Sequence, residues 1–110
     1  TEYIILTEGK EKRAFCYIDD ALDATLKMIE ALDCVDFIGP LNIGHPKPIS
    51  IFDLAETIKN CINPSMDLKI KSDAIQPEIL CQYCDCTSAE ELINWEAKTS
   101  LEEGIKLTLK

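Results

Sequence analysis

Apolar residues recur every three or four positions in four stretches of the chain, and this spacing predicts four amphipathic helices. In the first helix the apolar positions are Leu22, Leu26, Ile29 and Leu32. Asp19 and Asp20 precede that stripe, and either aspartate could cap the helix. The other three helices are predicted to begin at Ser50, Thr87 and Ser100, because an acidic residue follows each of them three positions later, as in a capping box.

Short apolar runs between the helices predict strands. Residues 3–6 (YIIL) and 14–18 (AFCYI) flank the polar segment TEGKEK, and together they predict a hairpin that turns at Gly9. Residues 41–43 (LNI) predict a short strand, and the alternation over 66–70 predicts a half-buried one, while 72–78 reads as a loop. Because the strands and helices do not follow a regular βαβ order, we expect an α+β fold with a small mixed sheet and about four helices.

The length of the chain fits one domain spanning residues 1–110, and 46% hydrophobic residues suffice for a core. There is neither an apolar run of membrane-spanning length nor a secretory signal, so we expect a soluble, cytoplasmic protein with no membrane partner. The sequence starts at Thr1 and enters an apolar run at once, which suggests a fragment of a larger protein.

The charge of the chain argues against nucleic acid as a partner. Twenty acidic and eleven basic residues give a net charge of −9, which repels phosphate backbones. Ten of the eleven cations are lysines, so Arg13 is the only guanidinium. A guanidinium is the side chain best suited to bidentate contacts with phosphate or carboxylate, which makes Arg13 a candidate binding residue.

Six cysteines raise the question of a metal or redox site, and three of them are Cys81, Cys84 and Cys86. Along a strand, Cys84 and Cys86 would face one side and Cys81 the other, which opposes joint chelation of one zinc ion. We therefore favour reduced thiols that pack in the fold, and no metal site. The alternative is a cysteine-rich zinc-binding or protein-interaction module, in which Cys16, Cys34 or Cys61 completes the ligand set.

Three motifs in order give the chain a resemblance to a known family. They are the run from Gly9 through Arg13 to Asp20 (GKEKRAFCYIDD), then Asn42-Ile43-Gly44, and then the segment from Gln82 to Ile105 (QYCDCTSAEELINWEAKTSLEEGI). This order resembles the C-terminal third of extended short-chain dehydrogenase/reductases that act on nucleotide sugars, the NAD-dependent epimerases and 4,6-dehydratases. The reading Gln82-Tyr83 is most similar to the CDP-glucose 4,6-dehydratase branch.

The resemblance implies a function that the chain would share with a parent enzyme. In that family this part completes the pocket for a nucleoside diphosphate-sugar, while NAD or NADP and the catalytic groups belong to a preceding Rossmann domain. This sequence has no glycine-rich dinucleotide fingerprint and no Tyr followed four residues later by Lys, so we expect it to be inactive alone, with no catalytic and no cofactor-binding residue. The expected partners are the nucleotide sugar and the Rossmann domain, and homodimer formation stays open.

The resemblance also implies substrate-binding residues, which are Arg13, Asn42, Gln82, Tyr83 and Tyr17. Arg13 would contact the diphosphate. For Asn42 turn formation is an equal alternative, and for Gln82 and Tyr83 the equal alternative is packing along a strand. For Tyr17 packing is the favoured reading, because an aromatic residue in an apolar strand usually lies in the core.

Overall fold

The computed structural model describes residues 2–5, 8–33, 39–70 and 79–110. Its elements in chain order are β1 (Glu2–Ile5), β2 (Lys12–Arg13), α1 (Ile18–Ala31), β3 (Ile49–Ser50), α2 (Ile51–Ile62), β4 (Asp67–Ile70), β5 (Cys81–Gln82), α3 (Thr87–Ile93) and α4 (Leu101–Thr108). The predicted α+β class with four helices and short strands is confirmed. The predicted loop at 72–78 and Cys34 lie outside the described residues.

The strands form two small sheets. In one, β1 runs parallel to β4; in the other, β2 lies between β3, to which it is antiparallel, and β5, to which it is parallel. The predicted hairpin is therefore wrong, because the first strand pairs with β4 and not with the segment after Gly9. Parallel pairing joins segments far apart in sequence, so a local pattern cannot reveal it.

Two further strand predictions are also wrong. The strand predicted at 14–18 is a two-residue strand at Lys12–Arg13, and residues 14–17 are an extended connection into α1. Residues 41–43 are not in a strand; Leu41 and Ile43 instead pack against the buried cluster that contains Trp95. A short apolar run has the same pattern whether it pairs in a sheet or packs as an irregular segment.

The caps of α2 and α4 are confirmed. The Ser50 hydroxyl accepts a hydrogen bond from the Asp53 amide at 3.0 Å, and the Ser100 hydroxyl accepts one from the Glu103 amide at 3.2 Å. Each bond satisfies one of the amides that a helix start leaves unpaired, as a serine N-cap does.

The predicted caps of α1 and α3 are wrong. Because α1 begins at Ile18, Asp19 and Asp20 lie inside its first turn. Thr87 is the first residue of α3, and its amide and hydroxyl donate to the carboxylate of Asp85 at 3.0 and 2.6 Å.

Asp20 joins α1 to the segment that leads into α4. Its carboxylate accepts hydrogen bonds from the amides of Lys98 and Thr99 at 3.2 and 2.9 Å and from the Thr99 hydroxyl at 3.1 Å. The Trp95 indole donates to the Asp20 carbonyl at 2.9 Å. Since Asp20 is only 8% exposed, these donors replace the water that a buried carboxylate would otherwise need.

The core around this junction is small. Ala24 on α1, Ala89 on α3 and Trp95 are almost completely buried and pack together. The part-buried apolar residues against them are Cys16, Leu41, Ile43, Cys86, Ile93 and Ala97. The core thus lies where α1, α3 and the segment at 41–43 meet.

The apolar stripe of α1 faces outward. Ile18, Leu22, Leu26 and Ile29 are each between 52% and 61% exposed. The molecule measures 53 × 33 × 14 Å with a radius of gyration of 17.0 Å, compared with about 13 Å for a compact domain of this size. The chain is therefore flat, and the apolar stripe of α1 is uncovered in the part that the structure describes.

Among the described residues, no helix combines the length and the apolar character that crossing a bilayer requires.

Replacing Asp20 by alanine should destabilise the fold, because the Lys98 and Thr99 donors would lose their charged acceptor. We expect the free energy of unfolding to fall by about 3 kcal/mol. Urea titration followed by the fluorescence of Trp95, the only tryptophan, measures this directly, since its ring is 1% exposed in the fold.

The matched control is Asp19→Ala, which removes an exposed carboxylate from the same helical turn. For this variant the free energy of unfolding should fall by less than about 1 kcal/mol, the usual size of a helix-dipole effect. Equal losses for the two variants would show that the Asp20 hydrogen bonds do not stabilise the junction.

Candidate functional site

Arg13 occupies the middle strand of the three-stranded sheet. Its Nη1 donates to the Lys12 carbonyl at 2.7 Å, and its Nη2 donates to the Ile79 carbonyl at 2.8 Å. The Ile79 bond crosses from β2 to the segment entering β5, so it fixes the direction of the half-buried side chain. These bonds occupy two of the five N–H groups of a guanidinium.

Gln82 lies beside Arg13. The two residues are register partners in the parallel pair β2–β5, so their side chains project from the same face of the sheet. Ile49 is the partner of Arg13 on the other side. Lys12 pairs with Cys81, and both side chains project from the opposite face. The structure thus brings Gln82 and Arg13 together.

Asn42 lies on the segment that contacts the residues just after β5. Two residues on, Gly44 is buried, and a Cβ atom placed there would be 2.9 Å from Cβ and 3.3 Å from Sγ of Cys84. The Cys86 thiol also donates to the Gly44 carbonyl, at 3.2 Å. The segment with Asn42 is therefore packed against the segment with Gln82. Asn42 itself is exposed.

Tyr83 is 61% exposed and lines a cavity of about 310 Å³. The cavity extends between the segment after β5 and the start of α3, and its wall includes Cys84, Cys86 and Trp95. The phenol is accessible to a ligand, which a purely packed tyrosine would not be.

Tyr17 lies away from that cavity, against α4. A Cβ atom on the buried Gly104 would be 3.3 Å from Cδ1 of the Tyr17 ring. The ring lines an apolar cavity of about 380 Å³ between α2 and α4, with Phe15, Leu54 and Ile58. Its surroundings are those of a packing residue.

The thiols of Cys84 and Cys86 are in contact, with Sγ atoms 3.4 Å apart, while Cys81 is exposed. The strand on which the sequence prediction rests ends at Gln82, so Cys84 and Cys86 lie together without alternation along a strand. In the described ranges, no three His, Cys, Asp or Glu side chains come together as a metal site requires. Burial, reinforced by the neighbouring Cys84 thiol, raises the pKa of Cys86 to about 11.

Asp85 has a local role that the sequence reading missed. Its hydrogen bonds with Thr87 lower the pKa of the carboxyl and tie Asp85 to the first residue of α3. An aspartate two residues before a threonine at a helix start is the signal that could have revealed it.

Replacing Gly44 by alanine should loosen this junction, because the new methyl group would overlap Cys84. We expect a loss of about 1–3 kcal/mol in the free energy of unfolding, measured by urea titration. Gly104→Ala is the control: its Cβ would meet a ring edge at 3.3 Å, and the gain of about 1 kcal/mol in helix propensity offsets the crowding. A larger loss for Gly104→Ala would contradict the prediction.

No model of a protein family matches the chain. The chain is 37% identical over 100 residues to UDP-glucuronic acid decarboxylase 5 of Arabidopsis thaliana, a match that covers 90% of this chain and 28% of the relative. It also matches the structure of a UDP-glucose 4-epimerase from Thermotoga maritima with UDP-glucose, with a TM-score of 0.83 and 29% identity over 98% of this chain and 33% of that one.

A third match is the structure of a UDP-glucuronic acid 4-epimerase from Bacillus cereus in complex with UDP-glucuronic acid and NAD. Its TM-score is 0.78 and its identity 25%, and the match covers 94% of this chain and 32% of that chain. The chain spans about a third or less of the length of these relatives. Over nearly its whole length it is similar to part of the nucleotide-sugar epimerases and decarboxylases, which confirms the expected resemblance to the extended short-chain dehydrogenase/reductases.

Proposed function

We propose that the chain forms the C-terminal, substrate-binding part of an NAD- or NADP-dependent enzyme that acts on a nucleoside diphosphate-sugar. Two of its relatives are named for UDP-glucuronic acid and one for UDP-glucose, so the proposed nucleotide is UDP rather than CDP. The reaction class is epimerisation, dehydration or decarboxylation at the sugar.

The placement of Arg13 carries the proposal. Two backbone carbonyls hold its guanidinium in place, which leaves three of five N–H groups for a ligand within the part of the chain that the structure describes. A diphosphate accepts such donors in pairs. Because the chain has a net charge of −9, a fixed local cation is what an anionic ligand would need there.

Gln82 would add a neutral hydrogen-bonding group beside Arg13, and Tyr83 and Asn42 would add others from neighbouring segments. Gln82 projects from the same face as the guanidinium. Tyr83 follows Gln82 in the sequence and is exposed, and Asn42 lies on the segment packed against Cys84. Their amides and phenol would bind the sugar or the base. Tyr17 would support the site only through packing against α4.

The hydride chemistry would come from the rest of the protein. Bound NAD or NADP supplies a hydride acceptor and donor in such enzymes. The residues of this chain would bind and orient the nucleotide sugar, and they include no glycine-rich fingerprint for the cofactor.

The exposed stripe of α1 is where the rest of the protein would pack. Ile18, Leu22, Leu26 and Ile29 form a continuous apolar surface on a slab 14 Å thick. Exposed apolar surface of this kind is typical of an interface. Since the chain spans only 28–33% of its relatives, the covering part would be the remaining domain of the same polypeptide.

Turnover tests the reaction class. Full-length protein with NAD should convert UDP-glucuronic acid or UDP-glucose to an epimeric, dehydrated or decarboxylated product, identified by NMR. The 110-residue chain alone should give no product. Absence of product from the full-length protein with these UDP-sugars and their CDP counterparts would overturn the proposal.

Replacing Arg13 by alanine tests the site. In the full-length protein the dissociation constant for the UDP-sugar should rise about 10- to 100-fold, because charge-assisted hydrogen bonds of about 1.5–3 kcal/mol are lost. Isothermal titration calorimetry measures the change, and an unaltered circular dichroism spectrum shows that the fold is retained. Arg13→Lys should restore only part of the affinity, since an ammonium lacks the planar fork.

Lys12→Ala is the matched control for Arg13. It removes the same charge from the same strand, but its side chain projects from the opposite face. Its effect should be under threefold at physiological ionic strength, where exposed charges are screened. An equal effect of both substitutions would mean that overall charge, rather than Arg13, governs binding.

A further inference from the structure

We propose that Cys84 and Cys86 form a reversible disulfide under oxidising conditions, and that this modification changes how the chain holds the nucleotide sugar. The disulfide itself follows from the geometry of the two thiols. Its effect on binding rests on the proposed function.

The two thiols are already in contact. Their Sγ atoms are 3.4 Å apart, so an approach of about 1.4 Å would reach the disulfide bond length of about 2.05 Å. Both residues line the cavity of about 310 Å³, which gives a small oxidant access to them. Cys81 is exposed and lies on β5, which ends at Gln82, before Cys84 and Cys86.

Oxidation would break a contact between the two candidate binding segments. The Cys86 thiol donates to the Gly44 carbonyl at 3.2 Å, and a disulfide sulfur has no hydrogen to donate. Cys84 would also have to shift, although it packs tightly against Gly44: a Cβ atom placed on Gly44 would be only 2.9 Å from the Cβ of Cys84. The segments with Asn42 and Gln82 should therefore move relative to each other.

The chemistry needs a hydroperoxide as the oxidant. The Cys84 thiolate attacks one peroxide oxygen, the O–O bond breaks, and the departing oxygen leaves as water or an alcohol after taking up a proton. The Cys86 sulfur then attacks the Cys84 sulfenic acid, the S–O bond breaks, and water leaves with the Cys86 proton. The two sulfurs are oxidised and the peroxide is reduced.

The first attack is assigned to Cys84 because the Cys86 thiol is the hydrogen-bond donor towards the Cys84 sulfur and the Gly44 carbonyl. Burial, which raises the pKa of Cys86, also favours the protonated form of that thiol. Only Asp85 separates the two cysteines, so the disulfide closes a very short loop and restricts the unfolded chain very little. Such a disulfide gains little stability from closure and remains reducible by cellular thiols, as a reversible modification requires.

Peptide mapping tests the disulfide. Purified full-length protein is treated with hydrogen peroxide, its remaining thiols are blocked with N-ethylmaleimide, and it is cleaved on the amino side of aspartate. Cleavage between Cys84 and Asp85 separates the fragment 73–84 from the fragment that begins at Asp85. In oxidised protein the two fragments should stay linked until a reductant is added. Cys81 should carry the maleimide, because its thiol stays free.

Variants identify the sulfurs. Cys81→Ser should leave the two fragments linked, whereas Cys84→Ser and Cys86→Ser should each release them. The assignment would be overturned by a link that persists in Cys84→Ser, by maleimide on both Cys84 and Cys86 of peroxide-treated protein, or by a bridge from Cys84 to Cys16.

Calorimetry tests the consequence. Oxidised protein should bind the UDP-sugar on the order of tenfold more weakly than reduced protein, the size typical of coupling between sites. Adding dithiothreitol should restore the affinity. Equal binding by both forms would overturn the coupling while the proposed function stands. Binding by neither form would overturn the proposed function and the coupling together, while the mapping would still decide the disulfide.

Discussion

The buried carboxylate of Asp20 is the interaction on which the arrangement of the chain depends. A carboxylate that is 8% exposed is costly unless donors replace its water, and Lys98 and Thr99 provide three of them. These bonds fix the start of α1 against the segment before α4. Tyr17, at the N-cap of α1, is thereby held against Gly104, so the connection that leads from Arg13 into α1 has a defined end.

The sequence predicts the helices well because their signals are local. In α2 and α4 a serine and the amide three residues later lie in one turn, so composition and spacing suffice. The strands depend on distant partners, and for that reason the hairpin prediction is wrong. The strand prediction at 41–43 is wrong because its apolar residues pack against the core and not in a sheet. Asp20 was misread as a cap because its donors lie more than seventy residues away.

In the candidate site, too, some features can be predicted from the sequence and others follow only from the fold. Arg13 stands out in the sequence as the only guanidinium in an acidic chain, and resemblance adds Gln82. That the two are neighbours on one face follows only from the parallel pairing of β2 with β5, which no local pattern specifies. Cys84 and Cys86 are in contact although the strand ends before them, and their contact with Gly44 likewise depends on the fold.

The uncovered face of α1 connects the stability of the chain with its function. A slab 14 Å thick buries few large side chains, and among the described residues Trp95 is the only large one that is fully enclosed. Surface burial supplies most of the favourable free energy of folding, so covering α1 should add to the stability of the whole chain. Asp20 joins α1 to the core around Trp95, and the segment at 41–43 packs against the same core. A domain that packs on α1 would therefore also stabilise the position of Asn42. Domain assembly and substrate binding would then be coupled through one small core.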